Sequence, residues 1–335
     1  MFKPNLSECV SNGEVITAPP LLDFGLIYNE NDQGQAKRLL YEMQIDETLP
    51  ENFEWYQDQI AGHHPSVVKN GLRQIGIMKD KTQPHLLLKL IQDGHRGESE
   101  VGLYEKMTCL SNDNHVSDPN KLLIRKLERL LPQYHGTRVV KIGSREHDFI
   151  QLEDITYAFE NSCIMDVKIG CVTYDPMASE EKKIAESSKC PFQQESGFRI
   201  LGYRLHPDHD GRTRIQDKTW GRTRVRENIK DAYLEYLQGR KTREEKLKIV
   251  NMFIEKLKEV QEWFNAQEIV HFYASSLLFV YEGSSHSELK VDLRMIDFSH
   301  VFYKNEGKDL NYIHGLDYIC NIFDQIKSDL INGYE

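Results

Sequence analysis

The segment Cys163-Ile164-Met165-Asp166-Val167-Lys168-Ile169-Gly170 alternates apolar and charged residues. In a strand, alternate side chains share a face. Met165, Val167 and Ile169 then point into a core, and Asp166 and Lys168 stand side by side on the opposite face. A carboxylate there can orient or deprotonate a hydroxyl, and an ammonium can hold a phosphate. A surface strand with an incidental Asp–Lys pair has the same spacing, and short motifs recur by chance. A second acid, Asp297, interrupts the apolar run Leu293-Arg294-Met295-Ile296-Asp297-Phe298. Burying it costs desolvation unless it meets a cation or donors. Offering the carboxylate to Mg2+ from a strand end would answer that need, and so would capping of the following turn. Lys89, inside Leu86-Leu87-Leu88-Lys89-Leu90, suits a lysine that contacts nucleotide phosphates, with Glu100 on the following helix as its carboxylate partner. Lysines also snorkel from edge strands, so Lys89 alone does not decide the matter. Arg212, Arg214, Lys218, Arg222, Arg224 and Arg226 are opposed in their stretch only by Asp217. Such a cluster is a natural partner for phosphate, or a solvated loop. His206-Pro207-Asp208-His209-Asp210 has metal-binding residue types but no further ligand nearby, and reads as a polar turn.

These side chains need elements to hold them. Leu72 to Lys79 and His85 to Ile91 read as strands about the turn-forming Asp80-Lys81-Thr82-Gln83-Pro84. Glu98 to Thr108 reads as a helix. A second helix opens at Ser117-Asp118-Pro119 and ends at Pro132. Val139 to Ile142 and Asp148 to Leu152 are further strands, and this α+β unit runs out near Glu153-Asp154-Ile155. After the Cys163 strand, Ser179 to Ser188 is helix-prone. Thr242 and Glu245 form a capping box for a long helix with the stripe Leu247, Val250, Ile254, Leu257, Val260 and Phe264. Two apolar strands, Ala274 to Tyr281 and Val291 to Phe298, and a helix from Gly315 to Ile331 close the chain. Residues 1–48 read as an N-terminal extension with a short helix over Ala36 to Met43. Residues 49–152 form a first lobe and 153–335 a second.

The chain has 335 residues, 39% of them hydrophobic, enough for a sizeable core. Its net charge of −10 argues against general binding of nucleic acid or of an anionic membrane surface. No run approaches the ~20 apolar residues of a membrane span, and the first eight residues lack the apolar core of a secretory signal. Six cysteines without a C-x-x-C pair argue against a disulfide framework or zinc ribbon. They fit reduced thiols in the cytoplasm or nucleus. No G-x-x-x-x-G-K-[ST] loop, G-x-G-x-x-G or H-R-D motif is present, which excludes a P-loop enzyme and an ordinary protein kinase.

Taken together, three segments resemble the inositol polyphosphate kinase family. Asp166-Val167-Lys168-Ile169-Gly170 matches its D-x-K-x-G core, Ser275-Ser276-Leu277-Leu278 its S-S-L-L motif and Ile296-Asp297-Phe298 its I-D-F motif, in the family's order. Met165 to Gly170, then Tyr174-Asp175-Pro176, Ala178-Ser179 and Glu181-Lys182, resemble the multikinase subgroup, as does Phe272 to Gly283. One departure is Ser162, where the family pattern P-x-x-x-D-x-K-x-G has proline.

The resemblance implies a two-lobed α/β (α+β) fold, distantly protein-kinase-like, with a small helical inositol-binding insertion near 178–230. It implies that Lys89 contacts ATP phosphates and that Glu153, Asp154 and Ile155 form the hinge beside the adenine, with Asp154 at the ribose. Asp297 would hold Mg2+, Asp166 would deprotonate the attacking hydroxyl, and Lys168 would neutralise the transferring phosphoryl group. Arg96, Lys182, Lys189 and His300 would line the inositol phosphate, with Lys218 and Arg222 behind them. The expected activity is that of an ATP- and Mg2+-dependent multikinase. It would phosphorylate inositol 1,4,5-trisphosphate and tetrakisphosphate at the 3- and 6-hydroxyls towards inositol pentakisphosphate. A narrower trisphosphate 3-kinase, or mainly a scaffold in signalling or transcription complexes, is the alternative. Expected partners are small-molecule inositol phosphates and phosphoinositide headgroups, with no nucleic acid and no stable membrane insertion. The chain is expected to be monomeric, in cytoplasm and nucleus.

Overall fold

The computed structural model describes residues 10–11, 14–15, 49–60, 68–69, 72–73, 75–112, 117–143, 145–206, 213–303 and 307–334. The expected helix over Ala36 to Met43 and most of the His206 to Asp210 turn lie outside them, as does Arg212. The chain divides into two units, Met1–Met43 and Gln44–Glu335. In the first, the described residues are a short antiparallel pair, β1 (Val10–Ser11) and β2 (Glu14–Val15).

The second unit is built on two five-stranded antiparallel sheets. The first has the order β3-β6-β7-β9-β8, from β3 (Phe53–Trp55), β6 (Met78–Asp80), β7 (Leu86–Leu90), β8 (Tyr134–Ile142) and β9 (Arg145–Glu153). A two-residue pair, β4 (Val68–Lys69) and β5 (Leu72–Arg73), precedes β6. Helices α1 (His95–Asn112) and α2 (Pro119–Leu127) lie between β7 and β8. Helix α2 starts as its sequence dictates, with Asp118 accepting from the Asn120 N–H and Pro119 in the first turn.

The second sheet has the order β12-β11-β10-β14-β15. Its centre is β10 (Ser162–Ile169), flanked by β11 (Phe198–Leu205) and β14 (Ser276–Glu282), with β12 (Arg214–Gln216) and β15 (Val291–Ile296) at the edges. Met165, Val167 and Ile169 are fully buried on the back of β10. Behind them pack α7 (Arg243–Ala266) and α8 (Leu310–Asn332). The Thr242–Glu245 capping box forms, and Val250, Ile254, Leu257, Val260 and Phe264 are buried as the helical period requires. Phe264 stacks on Tyr312 of α8 with ring centroids 4.0 Å apart. A small pair, β13 (Val270–Phe272) and β16 (Val301–Tyr303), brackets β14 and β15 in sequence.

The segment 178–230 is less helical and less separate than expected. It contains α3 (Glu180–Ser187), α4 (Pro191–Ser196), α5 (Lys218–Arg222) and the start of α6 (Ile229–Tyr236), but also β11, which pairs with β10 along its length. Gly197 ends α4 at φ 71°, and a Cβ there would lie 2.6 Å from the Gly315 backbone of α8. This close approach needs glycine on both segments.

The start of β10 explains how Ser162 can replace a proline. Glu282, wholly buried at the end of β14, accepts from the N–H groups of Glu160 (2.8 Å), Asn161 (3.0 Å) and Ser284 (3.0 Å). Ser162 pairs with Glu282 in the ladder. The carboxylate fixes the turn that a proline ring would otherwise restrict.

Candidate active site

A cavity of about 410 Å³ is lined from both five-stranded sheets. Lys89, Arg96, Glu153, Asp154, Ile155, Asp166, Lys168, Lys182, Lys189, Asp297 and His300 all line it. Lys218 and Arg222 do not. Both are exposed on α5, a short helix capped by Asp217. The basic excess of that stretch is a solvated surface at these two positions.

Lys89 reaches across from the first sheet. Its Nζ donates to Glu100 Oε1 (2.7 Å) and to Asp297 Oδ1 (2.5 Å). Burial works against its charge, but the Asp297 and Glu100 carboxylates outweigh that and hold the ammonium well above the ordinary lysine range. Glu100 Oε1 also accepts from the Phe298 N–H at 3.2 Å, so one buried carboxylate fixes both the lysine and the turn after β15.

Asp297 follows the last residue of β15 with φ 65°. Ala274, before β14, has φ 58°, and its carbonyl accepts from Lys168 Nζ at 2.8 Å. Among the described residues these are the two non-glycine positions with left-handed backbone, and both line the cavity. Such conformations cost about 1–3 kcal/mol each and persist where the surroundings over-determine them.

Asp166 lies opposite Gly202 of β11 and Leu278 of β14, with an irregularity in the β11 register just after it. It is 5% exposed, and its Oδ1 has no hydrogen-bond partner among the described residues. Burial first, and then the Asp297 charge, push its carboxyl up to about 7, against the Ser276 hydroxyl and the Lys168 and Lys89 ammoniums. Lys168 moves the other way. Burial lowers it, and the nearby Arg199 adds to that, while Asp297 and Asp166 oppose.

Beyond Lys168 the lining turns basic, with Arg96, Lys182, Lys189 and Arg199. His300 is not one of the charges. Its Nδ1 is 3.1 Å from Asp175 Oδ2, yet burial drives the ring down to about 4, helped by Lys182, Arg96 and Lys168. It offers a neutral hydrogen-bonding edge. Asp154 also differs from expectation. Its side chain is fully buried, with Oδ2 at 2.6 Å from Lys79 Nζ and Oδ1 accepting from the Thr156 N–H and hydroxyl. It braces the link between the lobes, and its carboxylate is engaged inside the protein rather than turned to a ribose.

Sequence reasoning missed Arg199, Glu186, Tyr56, Asp58, Gln59 and Ile60, all of which line the cavity. The segment after β3 crosses to the second sheet. Tyr56 Oη lies 3.1 Å from Thr156 Oγ1, and Asp58 pairs with Arg204 of β11. The alternation Phe198-Arg199-Ile200 could have shown Arg199 sharing a face with Lys168, had β11 been read as a strand.

The arrangement joins a buried base, two ammoniums and a strained strand-end carboxylate to a basic recess, which is a phosphoryl-transfer layout. The family model for inositol polyphosphate kinase matches residues 149–324. The chain is 34% identical over 228 residues to human inositol polyphosphate multikinase, covering 68% of this chain and 50% of that protein. It belongs to the inositol polyphosphate kinase family. Against inositol polyphosphate multikinase beta of Arabidopsis thaliana it is 26% identical over 302 residues, covering 83% of this chain and 94% of the relative. Among solved structures it resembles the inositol phosphate multikinase of S. cerevisiae in complex with ADP and Mn2+. The TM-score is 0.57 and the identity 23%, over 72% of this chain and 98% of that one. That likeness shows the two-lobed α/β kinase-like fold. The chain matches only 50% and 53% of the length of the human and rat multikinases. No helix among the described residues is long and apolar enough to cross a membrane.

Proposed function

We propose that this chain is an ATP-dependent inositol phosphate kinase of the multikinase type. It transfers the γ-phosphoryl group to the 3- and 6-hydroxyls of inositol 1,4,5-trisphosphate and tetrakisphosphate, towards inositol pentakisphosphate. The observation that carries this reading is the meeting of Asp166, Lys168, Lys89 and Asp297 in one cavity with a basic far end. The names of the mammalian and plant relatives support the multikinase assignment.

Asp166 takes the proton of the attacking hydroxyl. A carboxyl near 7 is well matched to that task at neutral pH, because it is ionised often enough and basic enough. Lys168 neutralises charge growing on the transferring group from a position fixed by the Ala274 carbonyl. Lys89 contacts the nucleotide phosphates, and Glu153 to Ile155 receive the adenine. Arg96, Lys182, Lys189 and Arg199 hold the acceptor's phosphates, with His300 as an uncharged donor or acceptor.

The residues present fit a divalent cation. Among the described residues no group of three or more His, Cys, Asp or Glu forms a protein cage. Mg2+ in nucleotide sites needs only one or two carboxylates plus phosphate oxygens and water. Asp297 at the strand end, its side chain 38% exposed, fits that pattern, and the S. cerevisiae relative is in complex with ADP and Mn2+. The ion, taken as Mg2+, supplies neutralisation of the β- and γ-phosphates when bound.

A phosphoinositide headgroup is a second acceptor in this reading, and the protein acts as a monomer in cytoplasm and nucleus. The described cysteines are all free thiols, as a reducing compartment favours. The test is product regiochemistry. Incubation with ATP, Mg2+ and inositol 1,4,5-trisphosphate, followed by NMR, should give phosphate at both the 3- and 6-positions. Addition at the 3-position alone would replace the multikinase reading with a trisphosphate 3-kinase.

A further inference from the structure

Beside the basic Lys189 and Arg199 of the cavity lining stands a carboxylate, that of Glu186. Lys168 and Arg199 face each other directly in the β10–β11 register. Like charges directly opposite destabilise a sheet unless an anion sits between or beside them. Arg199 is 8% exposed, and its Nε and Nη1 have no hydrogen-bond partner among the described residues. The nearest resident anion is Glu186, in the last turn of α3. Its Oε1 accepts from Lys189 Nζ, and its Oε2 is 3.9 Å from Arg199 Nη2, too far for a hydrogen bond. Glu186 thus holds Lys189 tightly and Arg199 loosely. Two of Arg199's buried donors await another acceptor.

We infer that Glu186 is a selectivity residue. Its carboxylate, between Lys189 and Arg199, takes the place that one acceptor phosphate would otherwise fill. Inositol phosphates with a free hydroxyl on that side are accepted, and more highly phosphorylated ones are turned away. This rests on the reading of the cavity as an inositol phosphate site. The physics is charge accounting in a confined space. A hydroxyl beside Glu186 donates a hydrogen bond to the carboxylate. A phosphate there meets a like charge, and pays for it in affinity because juxtaposed like charges oppose binding. Neutralising Glu186 removes the repulsion and lets Lys189 and Arg199 take a further phosphate besides those they already contact.

The test is equilibrium binding by calorimetry, at fixed ionic strength and without nucleotide, of inositol 1,4,5-trisphosphate and inositol hexakisphosphate. Glu186→Gln should raise the affinity for the hexakisphosphate about tenfold more than for the trisphosphate. Glu186→Asp, which keeps the charge, should stay within about threefold of the wild-type ratio. Adding Arg199→Leu to Glu186→Gln should remove most of the gain. A ratio unchanged by Glu186→Gln would overturn the inference, even if both affinities fell together as they would for a merely structural helix residue. So would a Glu186→Asp ratio as shifted as that of Glu186→Gln, or a gain that survives the loss of Arg199. The kinase reading is scored separately, by transfer of labelled phosphate from ATP with the wild-type protein. Transfer without a change of ratio defeats only the selectivity role. A shifted ratio without transfer supports it and defeats the kinase assignment. Binding of neither compound overturns the selectivity role, and the kinase assignment then stands or falls on the transfer assay alone.

Discussion

Replacing Lys89 with methionine separates what this lysine does for the fold from what it does for catalysis. Methionine keeps the unbranched apolar stem of the side chain and removes the charge. The ammonium is shared by two carboxylates, at 2.7 Å from Glu100 and 2.5 Å from Asp297, and the Glu100 side chain is only 4% exposed. Removing one partner of a buried ion pair leaves an uncompensated charge, which costs about 3–5 kcal/mol. The Lys89 side chain is 20% exposed and Asp297 38%, so solvent screens part of this, and the lower end, about 3 kcal/mol, is expected. The loss should be read as a fall in ΔG of unfolding by urea titration. Glu100→Gln in the same chain removes the orphaned charge and keeps an oxygen for the Phe298 N–H, now 3.2 Å away. The double variant should recover most of the stability. It should recover none of the activity, because the nucleotide phosphates still lack their cation, and kcat/KM should stay about 10³-fold down in a coupled ATPase-type assay. If the Lys89→Met chain is as stable as wild type, the triad is a surface pairing of little weight. If the double variant regains activity, Lys89 serves structure and not phosphate binding.

Other outcomes follow from the same geometry. Asp166→Asn should abolish transfer yet stabilise the protein at pH 8. The folded-state carboxyl sits near 7 and the unfolded one near 3.8, so the native state gives up stability as pH rises between those values. The gain in Tm should therefore shrink towards pH 4, and a gain independent of pH would refute the buried-acid account. For the wild type, kcat/KM should fall about tenfold per unit below pH 7, the base being lost to protonation. Lys182→Ala and Lys189→Ala should each raise KM for inositol 1,4,5-trisphosphate about tenfold at low salt, and the difference from wild type should shrink with added salt. Lys218→Ala and Arg222→Ala should leave it within about twofold, since neither residue lines the cavity. Glu282→Ala should cost about 3 kcal/mol in urea unfolding, through three backbone donors left without their acceptor.

The long amphipathic elements were legible because one period dominates each. The α7 stripe and its capping box, and the alternation along β10, needed nothing beyond the local sequence. Strand β11 was not legible in the same way. Phe198-Arg199-Ile200 alternates for only three residues before Ile200-Leu201-Gly202 breaks the pattern, and a glycine inside the run argues against a strand. With β11 unread, Arg199 could not be set opposite Lys168. Lys89, Asp166 and Asp297 were found as types in suitable runs. Their meeting spans 208 residues between Lys89 and Asp297 and is a property of tertiary structure. The charge state of His300 was likewise out of reach, because it depends on burial and on cations from α1, α3 and β10.

The central claim is that Asp166 and Asp297 act together on a metal-bound nucleotide and a polyol hydroxyl. Its most direct measurement is transfer of label from [γ-³²P]ATP to inositol 1,4,5-trisphosphate, comparing wild type with Asp297→Asn at matched folded concentration. Labelled inositol tetrakisphosphate from the wild type, and less than about a thousandth of it from Asp297→Asn, is the predicted result. Absence of labelled product from a folded wild type, or equal product from both proteins, would contradict it.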